Sequence, residues 1–176
     1  MENLKMFFGE DSSWFWSMCQ FIVISITLYL IYKQVRIQLK SNMLQTLHKC
    51  DDKWSGDTIV NCRKHTAEHF INNNLHLHEQ EFILINFFED IGLYLKEGIL
   101  AKEIVWNTYS YYIEKYWPIL KSAIEERRAN DNDKSIAHNF EHLYDSMLSI
   151  SKKKNAPTRP HTREQLIVFA NHEKAL

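Results

Sequence analysis

An uninterrupted run of uncharged residues near the N-terminus restricts this chain more than any other feature. The 19 residues from Trp14 to Tyr32 include no Asp, Glu, Lys or Arg. A helix rises about 1.5 Å per residue, so the run spans roughly 28 Å, close to the thickness of a bilayer's hydrocarbon core. Amphipathic rings favour the headgroup level, and both ends of the run carry them: Trp14 and Trp16, then Tyr29 and Tyr32. The sequence therefore predicts a transmembrane helix over residues 14–32.

Two other structures also produce apolar runs. A cleavable signal peptide has a positively charged segment before the run and small residues at a cleavage site after it. Here Glu10 and Asp11 precede the run, and Lys33 follows it. A buried core helix is seldom uncharged over such a length with aromatic residues at both ends. A membrane span is therefore the favoured interpretation.

Charged residues beside the run predict its orientation. Three cations follow it directly: Lys33, Arg36 and Lys40. The segment 1–13 carries Lys5 as its one basic residue, together with three acidic residues. Cations next to a span stay on the cytoplasmic side. We therefore expect the N-terminus to face out and residues 33–176 to lie in the cytosol.

Composition restricts the part of the chain that follows the run. The 176 residues provide room for an anchor and one modest domain. Gly (4) and Pro (3) are both scarce, which favours long helices over a fold with many turns. A net charge of -1 offers no broad basic field for nucleic acid. The three cysteines have no disulfide-like or metal-like spacing, which predicts free thiols in a reducing compartment.

We expect an all-α protein in which the transmembrane helix continues into a stalk and then into a cytoplasmic bundle of about four to five helices. The stalk is predicted because apolar residues from Val35 to Cys50 recur at helical spacing. The expected segments are a short extracytoplasmic N-terminus (1–13), the transmembrane helix (14–32), a stalk helix (33–54), a cytoplasmic helical domain (55–151), and a linker with a short C-terminal helix (152–176).

Local signals predict where the helices of the domain begin and end. Asp57 is a suitable N-cap for a second helix that ends in the Asn72–Asn74 run. A third helix runs from about residue 78 to 97 and is closed by Gly98 in a Schellman-type turn. A fourth, from about 101 to 129, contains Pro118, which should kink it or split it in two. Thr162 and Gln165 form a capping-box pattern that would open a final helix.

The third predicted helix is the centre of the expected core. Its apolar arc covers more than half of the helical wheel, whereas a surface helix needs about a third. The arc consists of Ile83, Leu84, Ile85, Phe87, Phe88, Ile91 and Leu95. Glu89 and Asp90 sit at its rim, and Arg63 projects from the inner side of the second helix. These charges favour a structural ion pair between helices.

The pattern H-x-x-E-H occurs twice, at 65–69 and at 138–142. Inverted zinc peptidases use this order of residues. Histidines at i and i+4 share one helix face and can chelate one metal ion, with the Glu as a base. The alternative function for this chain is therefore a metal-dependent helical-bundle enzyme that uses both pairs.

The helical wheel argues against that alternative. A polar turn at 130–133 precedes a fifth predicted helix. The predicted buried stripes consist of Ile59, Ala67 and Phe70 in the second helix, and Phe140, Leu143 and Met147 in this fifth helix. His65 and His69 point away from the first stripe, and His138 and His142 lie opposite the second. No further acidic ligand stands at a recognisable spacing. We therefore expect solvated surface histidines, and assign no catalytic, cofactor-binding or metal-binding residue.

Several segments resemble a bacterial family of domains of unknown function, in which a single N-terminal span precedes a helical domain. They are the stalk with residues 44–47, Arg63, the stretch Asn86–Gly92 (N-F-F-E-D-I-G) with Leu95 and Gly98, then Trp106 and Tyr116–Trp117. Residues 140–144 and 163–166 are more faintly similar to phage abortive-infection proteins. The resemblance implies a prokaryotic inner membrane and supplies no reaction.

These observations together favour a membrane-tethered interaction or regulatory module that is not an enzyme. Its expected partners are the lipid bilayer and either another protein or a second copy of the chain, and not nucleic acid. A role in phage defence is what the fainter resemblance implies. No cofactor is expected.

Overall fold

The computed structural model describes residues 13–74, 76–156 and 161–176. The regular secondary structure of these residues is helical. Six helices are found there: α1 (Ser13–Ser55), α2 (Asp57–Ile71), α3 (Glu79–Lys96), α4 (Lys102–Asp131), α5 (His138–Lys153) and α6 (Arg163–Lys174). The predicted all-α class is confirmed. Residues 1–12 of the predicted outer segment lie outside the described residues.

The first helix is long and apolar enough to cross a membrane. It runs without interruption from Ser13 to Ser55, so the predicted span and stalk form one helix. No residue of its most apolar 18-residue stretch is buried within the protein. The chain divides into two compact units, and the second covers Thr46–Leu176, so that the end of α1 belongs to the second unit.

Most helix ends follow the local sequence signals. Gly98 has φ +70°, and Ile99 donates its backbone N–H to the carbonyl of Tyr94, which is the predicted Schellman turn. Thr162 accepts a hydrogen bond from the backbone N–H of Gln165, so the predicted capping box is also confirmed. At the start of α2, however, the N-cap position is occupied by Gly56, and Asp57 is the first helical residue.

The fourth helix passes through Pro118 as a single element, so it is not split. A proline removes one backbone hydrogen bond from a helix interior and clashes with the preceding turn. Trp117 and Ile119 on either side are buried, each with under 5% of its surface exposed. Tertiary packing supplies most of a helix's stability, which explains why α4 continues here.

The third helix is the centre of the second unit, as predicted. It packs against α2, α4 and α5, and α6 covers α2 and α4. Phe88 is completely buried, and its ring stacks on Phe140 of α5 at 4.6 Å between centroids. Trp54, near the end of α1, inserts its ring between α3 and α4, with centroids 5.0 Å from Phe87 and 4.7 Å from Tyr112.

Candidate functional site

The acidic residues of the N-F-F-E-D-I-G stretch have structural partners. Glu89 accepts hydrogen bonds from the backbone N–H of Phe140 at 2.7 Å and from the side-chain amide of Asn139 at 3.1 Å. These groups lie in the first turn of α5, where backbone N–H groups have no partner within the helix and a carboxylate is favoured. Asp90 pairs with Lys53 of α1 at 2.9 Å. The two acids therefore tie α3 to α5 and to α1.

Gly92 permits the close approach of α5 to α3. A Cβ atom at this position would lie 2.4 Å from the backbone carbonyl oxygen of Asn139 and 2.8 Å from its carbon. Real Cβ atoms almost never come within 3.0 Å of a heavy atom from a residue elsewhere in the chain. Backbone cannot move aside as a flexible side chain can, so the glycine is required by packing.

Gly92→Ala is expected to lower the free energy of unfolding by about 3 kcal/mol, the upper end of the range for overpacking. The new methyl group would force α5 away from α3 and weaken the contact of Glu89 with Phe140. Chemical denaturation of the full chain in detergent, followed by tryptophan fluorescence, measures the change. Leu93→Ala is the matched control because Leu93 is 42% exposed. Equal effects of the two variants would contradict this account of Gly92.

A buried ion pair joins α2 to α6. The Arg63 guanidinium donates to both carboxylate oxygens of Glu173, from Nε at 2.6 Å and from Nη2 at 3.0 Å. Both residues are 5% exposed. Tyr116 of α4 donates its hydroxyl to the same carboxylate, and the guanidinium lies 4.2 Å above the ring of Trp54. Glu89 and Asp90 were the predicted partners of Arg63, and that prediction is wrong because Arg63 pairs with Glu173.

Glu173 favours the charged form of Arg63 and the protonated form of Tyr116. Burial alone would lower the pKa of Arg63, but the hydrogen bond and negative charge of Glu173 more than offset it, and the net shift is upward. Burial, and then the charge of Glu173, raise the pKa of Tyr116, so its hydroxyl stays protonated and donates. This buried network of hydrogen bonds and charges connects α2, α4 and α6.

The described residues contain one group of three side chains that could hold a metal ion: His65, His69 and Glu81. One ligand atom from each lies within 4.8 Å of the others. His65 Nδ1 is 2.9 Å from Glu81 Oε1, and His69 Nδ1 is 4.0 Å from the same oxygen. Glu81 is completely buried, and its second oxygen accepts the backbone N–H of His78 at 3.0 Å.

The prediction that His65 and His69 face water is wrong. Their side chains are 32% and 24% exposed, and their rings lie 3.9 Å apart against the first turn of α3. The wheel assumed one buried face on α2, but α2 packs against both α3 and α6 and so has two. The predicted absence of an acidic ligand overlooked Glu81, whose position three residues after His78 is itself a capping-box signal at the start of α3.

The second H-x-x-E-H copy is different. His138 and His142 are both exposed, as predicted. Glu141 pairs with Arg128 at 2.9 Å. In the first copy the corresponding acid, Glu68, pairs with Lys174 at 3.0 Å on the surface. Both acids of the two motifs therefore pair with a basic side chain.

The remaining candidate residues occupy ordinary structural positions. A basic cluster near the C-terminus consists of Lys152, Lys153, Lys154, Arg159 and Arg163. Lys154 pairs with Glu103, and Arg163 hydrogen-bonds Asn73. Arg159 lies outside the described residues. The three cysteines are free, in agreement with the prediction: Cys19, Cys50 and Cys62.

The comparisons with known proteins give one match. The model of a family described as Domain of unknown function (DUF4760) matches residues 17–147. This range begins in α1 and ends in α5, and it includes Arg63 and both members of the α3–α5 contact at Gly92. No curated protein and no solved structure matches the chain.

Proposed function

Given that this chain belongs to the family Domain of unknown function (DUF4760), we propose that it is a membrane-tethered interaction or regulatory module of a prokaryotic inner membrane. The observation that carries the proposal is the single helix α1, in which an unburied apolar stretch continues directly into the second unit. A helix of this kind leaves its apolar side chains in water unless lipid or another protein covers them.

Lipid is the environment that best matches the exposed apolar residues of α1. Phe21, Ile22 and Val23 are each at least 47% exposed, and successive residues of a helix point about 100° apart, so the three lie on different sides of it. A protein–protein contact would need an apolar stripe on one side, whereas lipid requires an apolar surface all round. At its end, Arg36 lies 5.2 Å from the ring of Tyr32, the aromatic and cationic pairing typical of an interface.

The same end of the helix supports an orientation. The cations at 33, 36 and 40 favour a cytosolic second unit under the positive-inside rule. Two free thiols in that unit, Cys50 and Cys62, suit a reducing compartment.

A binding role is favoured over catalysis by the way the domain uses its chemical groups. Glu89 and Asp90 hold helices together, and Arg63 and Glu173 neutralise each other. Restriction to a membrane surface raises the effective concentration of the domain toward other proteins in that membrane, so weak contacts become useful. The partner is accordingly a protein of the same membrane or a second copy of this chain. A role in phage defence is compatible with such a module.

A reporter fused after Leu176 is expected to behave as cytoplasmic in intact cells. Replacing Lys33, Arg36 and Lys40 together by Gln should shift a measurable fraction of the reporter to the other side, because the charge asymmetry across α1 is then lost. Replacing three exposed cations of the domain, Lys96, Lys121 and Lys174, is the matched control. An outward reporter in the wild type, or release of the protein from membranes by alkaline extraction, would overturn the anchoring and its orientation.

The binding role is tested by crosslinking in intact membranes before extraction with mild detergent. The wild type and the Leu93→Ala variant should yield the same crosslinked protein, while the destabilised Gly92→Ala variant should yield less of it. Recovery of the uncrosslinked chain alone from both folded proteins would count against an interaction module.

A further inference from the structure

We propose that His65, His69 and Glu81 bind one zinc ion, which joins α2 to the first turn of α3. Two imidazoles and one carboxylate form a donor set that zinc accepts in proteins, with a fourth position left for water. Manganese and magnesium prefer oxygen ligands, so this set with two nitrogens favours zinc over them.

The helices bring the donors together before any ion arrives. His65 and His69 are four residues apart on α2, so their rings share one face, with centroids 3.9 Å apart. Glu81 approaches from α3, and its Oε2 is held by the backbone N–H of His78. Such a hydrogen bond orients a ligating carboxylate and leaves Oε1 directed at the imidazoles.

The distances are near those of a tetrahedral zinc site. Bonds of about 2.0–2.1 Å at tetrahedral angles place ligand atoms about 3.3 Å apart. The observed separations from Glu81 Oε1 are 2.9 Å to His65 Nδ1 and 4.0 Å to His69 Nδ1. Small rotations of the two rings, which are partly exposed, would equalise these separations without moving the backbone.

His69 distinguishes a metal site from a hydrogen-bonded cap. If Glu81 only caps α3, it accepts a hydrogen bond from the His78 backbone N–H and pairs with the ring of His65. His69 then takes no part. Its Nδ1 is buried and has no hydrogen-bond partner. Buried polar atoms usually have a partner, and a zinc ion between the two rings would give His69 one.

Charge supports the same assignment. Glu81 is completely buried, and a buried carboxylate needs a proton or a cation to offset its charge. Arg63, on the same helix as the histidines, is already engaged by Glu173. A divalent ion supplies the positive charge. Glu68 of the H-x-x-E-H motif pairs with Lys174 at the surface, which favours a cross-linking role for the ion.

The test uses the full chain in detergent, stripped with a chelator and titrated with zinc chloride against a competing chromophoric chelator. We expect one equivalent of zinc to bind and to raise the melting temperature. His69→Ala should weaken zinc binding by at least 10–100-fold, the loss typical of removing even an outer-sphere partner. Zinc should therefore raise the melting temperature of this variant much less than that of the wild type.

The paired variant His138→Ala/His142→Ala is the matched control, since it removes the same motif from exposed positions. It should keep wild-type zinc affinity. His65→Ala provides a second variant on the proposed site, and it should lose zinc as His69→Ala does. Failure of the wild type to bind zinc, equal loss in the control, or unchanged affinity in His69→Ala would each overturn the proposal. None of these outcomes bears on membrane anchoring, which the reporter fusion tests separately.

Discussion

Replacing Phe88 with alanine is expected to lower the free energy of unfolding by about 3–5 kcal/mol, the range for truncating a buried Phe. Phe88 is completely buried in α3, the helix that contacts α2, α4 and α5. Its ring stacks on Phe140 at 4.6 Å and lies 5.7 Å from the rings of both Trp54 and Tyr116. Because three other helices supply these neighbours, the cavity left by the ring cannot close by moving one of them.

The measurement is chemical denaturation of the full chain in detergent, followed by tryptophan fluorescence, since Trp54 contacts the altered position directly. Tyr111→Ala is the matched control because its ring is 54% exposed on α4. Truncation of the exposed ring should cost much less. If the two variants unfolded at the same denaturant concentration, α3 would not be the central element of the core.

Helix ends and the position of α3 could be predicted because their signals are local. Gly98 adopts the positive φ that a Schellman turn requires, and Thr162 with Gln165 closes a capping box within four residues. The apolar arc on α3 is wider than one packing surface requires, and so it indicated that other helices pack against α3 on several sides. The sequence left open whether Pro118 kinks or splits α4, because the packing that keeps α4 a single helix was not visible around the proline.

The approach of Glu81 to His65 and His69 was missed because a wheel reports on one helix at a time. α2 has a stripe formed by Ile59 and Ala67, but a second helix covers its other side, where His65 and His69 lie. Neither the second contact nor the approach of Glu81 can be read from the spacing within α2. A pair of histidines at i and i+4, followed within one loop by a helix that begins with an acid, is the signal that would have predicted this grouping of side chains.

The partner of Arg63 was missed for a related reason. Glu173 is 110 positions away in the sequence, and acids near α3 were closer candidates. A signal was nevertheless present in α6, where the buried residues Leu166, Phe169 and Ala170 continue at helical spacing to Glu173. An acid on an otherwise apolar stripe indicates a buried cation opposite it.

Glu173→Ala is expected to lower the free energy of unfolding by about 3–5 kcal/mol, the range for removing one partner of a buried ion pair. The loss is large because Arg63 keeps its charge and stays 5% exposed, with both of its hydrogen-bond acceptors gone. Tyr116 loses the acceptor of its hydroxyl at the same time. The measurement is the same denaturation experiment on the full chain, with circular dichroism to detect whether α6 still packs.

Two further variants separate the buried charge from the connection between helices. Lys174→Ala removes an ion pair with Glu68 that joins the same helices, α2 and α6, but lies on the surface, where screening by water makes such pairs weak. It should unfold close to the wild type. Arg63→Met combined with Glu173→Leu should recover much of the stability lost in Glu173→Ala, because no buried charge is then left unpaired. If the double variant were as unstable as Glu173→Ala, the cost would come from lost packing between α2 and α6, and the ion pair itself would contribute little.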